Sequence, residues 1–246
     1  MKIPTLEDPH FIVELDGDAS SPNPLRAIWR AQHQCVSETF VGNDCPIPND
    51  PGAAIIKHQL VSDRGHYSVL RFAFAKFNIG GFPHDTIMQM RTHQGSAHLV
   101  QSNRFTYERF IKVAEDRLDV EKVFYFRPVG FYSDRGGRKY DYLEEERDKD
   151  KRNSIEACKN YAFKVQCLKH SYEHARHCLP QNPRQEYTLA GDIEATFHWL
   201  DQRTKADAEL ETRVLAEMVM QKLDLWIPPL AQWYRKERYG KAILAP

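Results

Sequence analysis

Residues 89–105, QMRTHQGSAHLVQSNRF, gather groups suited to holding a polar ligand: Gln89, Arg91, His93, Gln94, Gln101, Ser102 and Arg104. An arginine offers a flat fork of donors that matches phosphate oxygens, and a serine hydroxyl adds a neutral donor. Ser102 and Arg104 stand two apart. In an extended chain both would point to one side and share one anion. A second cluster, His170, His174 and His177, has spacings of four and three. On a predicted helix that puts three imidazoles on one face, as a zinc site requires. No HExxH pair and no completing cysteine accompany them, so metal: none is the expectation, and surface or packed histidines account for the pattern.

Other chemistries lack their residues. There is no GxSxG, and no cysteine stands where a depressed pKa would be expected, so a protein nucleophile is not predicted. GxGxxG and GxxxxGK[ST] are both absent, and a dinucleotide would have to bind in some other way. Lys plus Arg equals Asp plus Glu at 34 each, which argues against a general nucleic-acid binder but leaves room for a local basic pocket. No apolar stretch approaches a membrane span, and the first residues lack the apolar core of a signal peptide. Five cysteines without a CxxC pair fit a reduced, cytoplasmic protein.

The elements that must position these groups read as one α/β (α+β) domain over residues 1–246, with a central sheet and a helical C-terminal half. Alternating Phe11, Val13 and Leu15 predict a strand over 10–16. A helix is predicted from 25 to about 39, a loop over 43–52 and a helix over 53–62. The aromatic, β-rich stretch 67–78 predicts a central strand ended by Gly80, Gly81 and Pro83, with a helix from His84 to about Thr92. Residues 120–128 read as a strand or extended segment, and 133–138 as a turn. Dense charge over 143–152 predicts a solvated helix face, and Val214, Leu215, Met218, Val219 and Leu223 keep a helical apolar stripe.

Taken together, the segments resemble the flavin-dependent thymidylate synthases. Their signature, RHRxxSxNxxSxRY, aligns with His93 on its histidine, Ser102 on its second serine, Arg104 on its last arginine and Phe105 on its tyrosine. Gln89 falls where members often carry a nucleotide-contacting glutamine. In the same order, residues 65–70 look like the GHxSxxEH segment, 175–180 (ARHCLP) like ARxxLP, 197–203 (FHWLDQR) like HFLDLR, and 208–213 (AELETR) like AQxEIR. Residues 126–130 and the terminal AILAP look closest to a cyanobacterial and phage subgroup. The likeness spans roughly residues 55–246.

That resemblance implies a homotetramer binding FAD between subunits. NADPH reduces the flavin, and 5,10-methylenetetrahydrofolate supplies one carbon to C5 of dUMP, giving dTMP without an enzyme nucleophile. By position it assigns Gln89, Ser102, Arg104, Arg176 and Arg203 to the nucleotide, both Arg104 and Arg176 to its phosphate, and Arg203 to catalysis as the group polarising the pyrimidine. It assigns His66, Arg91, His93, Gln94, Asp192, Glu194 and His198 to the cofactor side.

Departures cluster on the flavin side. RHR reads Thr92-His93-Gln94, the first serine of the signature is Ala97 and its asparagine Leu99. The segment resembling NxRS reads Asp192-Ile193-Glu194-Ala195, and the glutamate of GHxSxxEH is Arg71, so Arg71 and Glu194 can have exchanged charge. Three outcomes stand open at this stage: retained thymidylate synthesis, a dCMP or dUMP hydroxymethylase on the same fold, or an inactive nucleotide-binding homologue. A carboxylate at Glu194 would accept a hydrogen bond from a cytosine 4-amino group.

Overall fold

The computed structural model describes residues 6–61, 65–133 and 137–241. Residues 134–136 of the turn predicted over 133–138, and the terminal AILAP, lie outside them. In chain order the elements are β1 (Ile12–Leu15), α1 (Pro24–Val36), α2 (Pro51–Ile55, continued by a wide turn over Ile56–Leu60), a 3-10 segment (Tyr67–Phe72), β2 (Phe74–Pro83) and α3 (His84–Met90). Then come β3 (Ser96–Val100), α4 (Glu108–Ala114), α5 (Val120–Val123), β4 (Gly130–Ser133), β5 (Lys139–Tyr142), α6 (Glu144–Gln166) and α7 (Tyr172–Ala175). A 3-10 turn (Arg176–Cys178), β6 (Arg184–Asp192), α8 (Ile193–Arg203), α9 (Leu210–Trp226) and α10 (Pro228–Glu237) complete the chain.

Four antiparallel strands form the central sheet in the order β1-β2-β6-β3, and β4 and β5 make a separate hairpin. Register sets Leu15 on Phe77, Phe77 on Leu189, and Ile79 on both Val13 and Tyr187. These side chains share one face of the pleat and enter the main core with Trp199, Leu215, Val219 and Leu223. Burying each aliphatic side chain of the α9 stripe contributes about 1.5–3 kcal/mol, which is what holds this helix under the sheet. A second core joins α4 to α7 through Phe110, Phe124, Cys158 and Tyr161.

The mixed helix-and-sheet class is as expected, and four local expectations are corrected. The strand predicted over 67–78 begins only at Phe74, because Val69 and Leu70 are both buried, a pairing that a half-buried strand cannot make and a 3-10 turn can. Gly80 and Gly81 do not end β2; they carry it through a bulge between Ile79 and Phe82. Gly81 has φ +80, and a Cβ there would lie 1.9 Å from the His10 carbonyl oxygen. Residues 120–123 are helical, with Asp119 accepting from the Glu121 amide at 2.9 Å, and only Phe124 then bridges to Pro183. Within the C-terminal half expected to be helical, Arg184–Asp192 instead forms β6, which pairs with β2 and β3 at the centre of the sheet, and β3 was not predicted.

Candidate active site

Arg203 ends α8, and its guanidinium is held on three sides. Nε donates to His93 Nε2 at 2.9 Å, Nη1 to Gln89 Oε1 at 3.3 Å and Nη2 to the Gln89 carbonyl at 3.2 Å. Since His93 Nε2 accepts, the ring carries its proton on Nδ1. Burial, with Arg203, His198 and His98 nearby, pushes the His93 pKa down to about 4, so the ring is neutral and remains an acceptor at physiological pH. Behind it, His98 contacts the His93 carbonyl through Nε2 at 3.1 Å and the Tyr187 hydroxyl through Nδ1. His98 of β3 thus holds the His93 backbone.

The Gln89 amide continues the array: Nε2 donates to Glu209 Oε2 at 2.6 Å. Burial raises the Glu209 carboxyl to about 7, with Glu211 and Asp85 adding repulsion. Glu211 itself is satisfied, accepting from Arg127 at 2.6 and 2.8 Å and from the Tyr125 hydroxyl at 2.9 Å. Glu209 and Asp85 line a cavity of about 570 Å³ that is also walled by Tyr140, Tyr142, Asn182 and Leu179.

The anion-binding candidates sit elsewhere. Ser102 and Arg104 do not lie on an extended strand, because the chain turns directly after β3. Ser102 Oγ accepts from the Arg104 amide at 3.3 Å, and its carbonyl accepts from Phe105 and Thr106. Arg104 pairs with Glu173 at 2.7 Å, which brings it to the helical turn that carries Arg176. Arg176 lines a cavity of about 450 Å³ with His84, Asn103 and Pro180. Burial is the main cause of a lowered His84 pKa, Asp85 opposes it, and the charges of Arg91, Arg176 and Arg109 lower it further. Among the described residues His84 Nδ1 is buried there with no hydrogen-bond partner.

On the remaining side, Asp192 caps α8 by accepting from the Ala195 amide at 2.7 Å. Arg71 reaches Glu194 at 3.3 Å and Asp192 at 3.7 Å, so the exchanged charges do meet. Glu194 and Arg203 stand nine residues apart on one helix, roughly 13 Å along its axis. Glu194 thus lies at the Arg71 end of α8 and Arg203 at the other. His66, Arg91 and Gln94 are exposed, and His198 is half-buried beside Gln202, 3.2 Å away. His170, His174 and His177 do not share one helix, and among the described residues no group of histidine, cysteine or acidic side chains is placed to hold a metal ion.

The sequence profile of the family described as "Thymidylate synthase complementing protein" matches residues 18–229. The chain belongs to this family. Two curated flavin-dependent thymidylate synthases are each 27% identical to it. The one from Haloarcula marismortui aligns over 92% of this chain and 97% of its own, and the one from Halobacterium salinarum over 74% and 76%. Among solved structures, thymidylate synthase X from Helicobacter pylori with FAD and dUMP superposes with a TM-score of 0.66 at 16% identity, covering 94% of this chain and 99% of that one. The UMP/dUMP methylase PolB from Streptomyces cacaoi bound with 5-Br dUMP gives 0.74 at 16%, covering 93% and 96%. At these identities the two structures establish the shared fold.

As a flavin-dependent thymidylate synthase family member, the chain is a flavoprotein methyltransferase of nucleotide biosynthesis. Within this family fold, Gln89, His93 and Arg203 form one hydrogen-bonded group, whereas Arg176 lines a second space and Arg104 pairs with Glu173 on the turn before it. The sequence reading missed Glu209, His84 and the His98–Tyr187 brace. Glu209 did leave a signal, since it stands where the AQxEIR segment has glutamine. Among the described residues no helix is long and apolar enough to cross a membrane.

Proposed function

We propose that this family member transfers one carbon from methylenetetrahydrofolate to C5 of dUMP, with NADPH as reductant and FAD as cofactor, in a homotetramer. The net reaction joins dUMP, methylenetetrahydrofolate, NADPH and a proton to give dTMP, tetrahydrofolate and NADP⁺. One observation carries the reading: the Arg203 guanidinium is fixed in place before any ligand arrives. For C5 to act as the carbon nucleophile the pyrimidine must first become electron-rich, with negative charge shared between C5 and the ring oxygens. A positioned donor stabilises that charge without reorganising, and such donors are worth about 10²–10³ in rate. A thiolate nucleophile is not needed and not offered by Cys158 or Cys178, whose thiols burial pushes up, that of Cys158 to about 12.

Ser102, Arg104 and Arg176 are assigned to the phosphate. Support comes from the cavity beside Asn103, which Arg176 lines, and from His84 Nδ1 within it, which among the described residues is buried without a hydrogen-bond partner. The other face fits a flavin. Gly95 (φ +85), where a Cβ would meet only Ala195, forms with the exposed Ala97 a shelf poor in side chains. Arg71 flanks it with a largely exposed side chain, 64% accessible, whose Nε pairs with Glu194 and Asp192. Arg71, Gln94, His66 and His198 would hold the group, with Arg91 nearby, while Asp192 fixes the start of α8. The flavin supplies the hydride chemistry that no side chain here offers.

Incubation of the purified protein with FAD, NADPH, methylenetetrahydrofolate and either dUMP or dCMP, with products read by mass spectrometry, tests this reading. A methyl gain on dUMP supports it. A hydroxymethyl gain, or product from dCMP alone, replaces it with the altered reaction, and no product under flavin saturation with nucleotide still bound replaces it with an inactive binder.

A further inference from the structure

Glu209 occupies the N-cap position of α9, yet its side chain makes no capping hydrogen bond. Among the described residues its carboxylate has one hydrogen bond, from Gln89 to Oε2, and Oε1 has none. It borders the 570 Å³ cavity with three more acids, Asp85, Asp150 and Glu211. Stability alone gives no reason to add another carboxyl to such a place, and a perturbed acid in a cleft is a sign of function. The Gln89 amide ties it directly to Arg203, with the amide oxygen toward the guanidinium and the nitrogen toward the carboxylate.

We propose that Glu209 reads the substituent at C4 of the pyrimidine, ionised against a 4-amino base and protonated against a 4-oxo base. The inference rests on the assignment of Gln89 and Arg203 to the nucleotide base. A carboxylate only accepts hydrogen bonds, so it complements the amino group of cytosine and repels the O4 of uracil. A carboxylic acid donates, and so complements O4. Both forms have to be accessible near neutrality for one residue to do this. The surroundings provide that: burial, Glu211 of the same helix and Asp85 of α3 favour the protonated form, while Arg127 and the Gln89 amide favour the ionised one. Arg203, at the far end of the amide, also feels the charge of Glu209. On this proposal the base-reading carboxylate is Glu209, just before α9, where the chain has exchanged an amide for an acid.

Calorimetric titration of the full chain with dUMP and with dCMP, at about pH 6 and about pH 8, tests this for the wild type and Glu209→Gln. The phosphate ionises alike in both nucleotides and cancels from their ratio. The wild type should favour dCMP over dUMP by at least about tenfold more at the higher pH, and Glu209→Gln should hold one ratio at both. A wild-type ratio that stays flat with pH overturns the proposal whether or not the variant folds, as does an equal pH dependence in the variant. Failure of either nucleotide to bind at any pH overturns the nucleotide-site assignment, and this proposal with it.

Discussion

Arg203 Nε donates to Nε2 of His93 across 2.9 Å, linking the last turn of α8 to the turn between α3 and β3. A histidine used this way must stay neutral, and its surroundings ensure that it does. This pairing converts a flexible arginine into a fixed donor. Replacing Arg203 with lysine keeps the charge but loses the planar fork. The Arg203→Lys variant should fold normally, with a Tm within about 2 °C of the wild type. Its kcat/KM for the nucleotide should fall by about 10²–10³. A loss of less than about threefold would remove Arg203 from the transition state.

The same pair predicts a pH dependence of stability. The ordinary histidine value is 6.5 and the folded value about 4, so between those limits the unfolded chain binds more protons. Stability should therefore fall as pH drops through this window and be fully present above it. The contribution is at most about 3 kcal/mol, less after relaxation and screening. His93→Gln keeps an acceptor and cannot titrate, so its urea-unfolding free energy should change less than the wild type's between about pH 6.5 and about pH 4. Equal slopes would contradict the assignment.

Arg104 and Arg176 should act on the phosphate rather than on the ring. Alanine at either position should raise the KM for the nucleoside monophosphate about ten- to hundredfold, with binding of the free nucleoside unchanged. Comparing titrations with and without the phosphate separates the two. Because Arg104 already pairs with Glu173, its substitution should have the smaller effect.

The exchanged pair Arg71 and Glu194 is half-exposed and worth no more than about 1 kcal/mol to folding. Its effect should appear in flavin affinity. Arg71→Glu should lower FAD binding, and adding Glu194→Arg should restore part of it, as measured by fluorescence quenching of the flavin. Glu194→Arg alone should leave the preference between dUMP and dCMP unchanged, because of its distance from Arg203 along α8.

At Gly81 a side chain has no room, and the left-handed φ disfavours one as well. Gly81→Ala should destabilise by about 3 kcal/mol or more in chemical denaturation, by forcing β1 and β2 apart at the bulge.

Much of the site was legible because the chemistry lies in short runs with characteristic order. Gln89, His93 and Arg203 could be named from sequence, and the fold brings them into contact across more than a hundred positions. What could not be read was direction. The alternation that suggested a shared anion face for Ser102 and Arg104 fails because the chain turns as soon as β3 ends, and hydrogen bonds to the Ser102 carbonyl hold that turn. Glu194 carried the more visible change of charge, yet helix geometry separates it from Arg203. Glu209 differed from the family pattern by a single atom, oxygen for nitrogen, and only its place beside Gln89 and other acids reveals its consequence. The strand boundary at Phe74 was hidden for a similar reason: β-rich composition cannot tell a strand from a 3-10 turn when tertiary packing buries consecutive side chains.

The most direct measurement is ¹³C NMR of the nucleotide produced from dUMP and methylene-¹³C tetrahydrofolate, with FAD and NADPH present. The account predicts a labelled methyl carbon on C5, formed by the wild type and nearly lost in Arg203→Lys. Label that never reaches C5, or that reaches it equally well in the variant, would contradict the central claim that Arg203 governs carbon transfer to the pyrimidine.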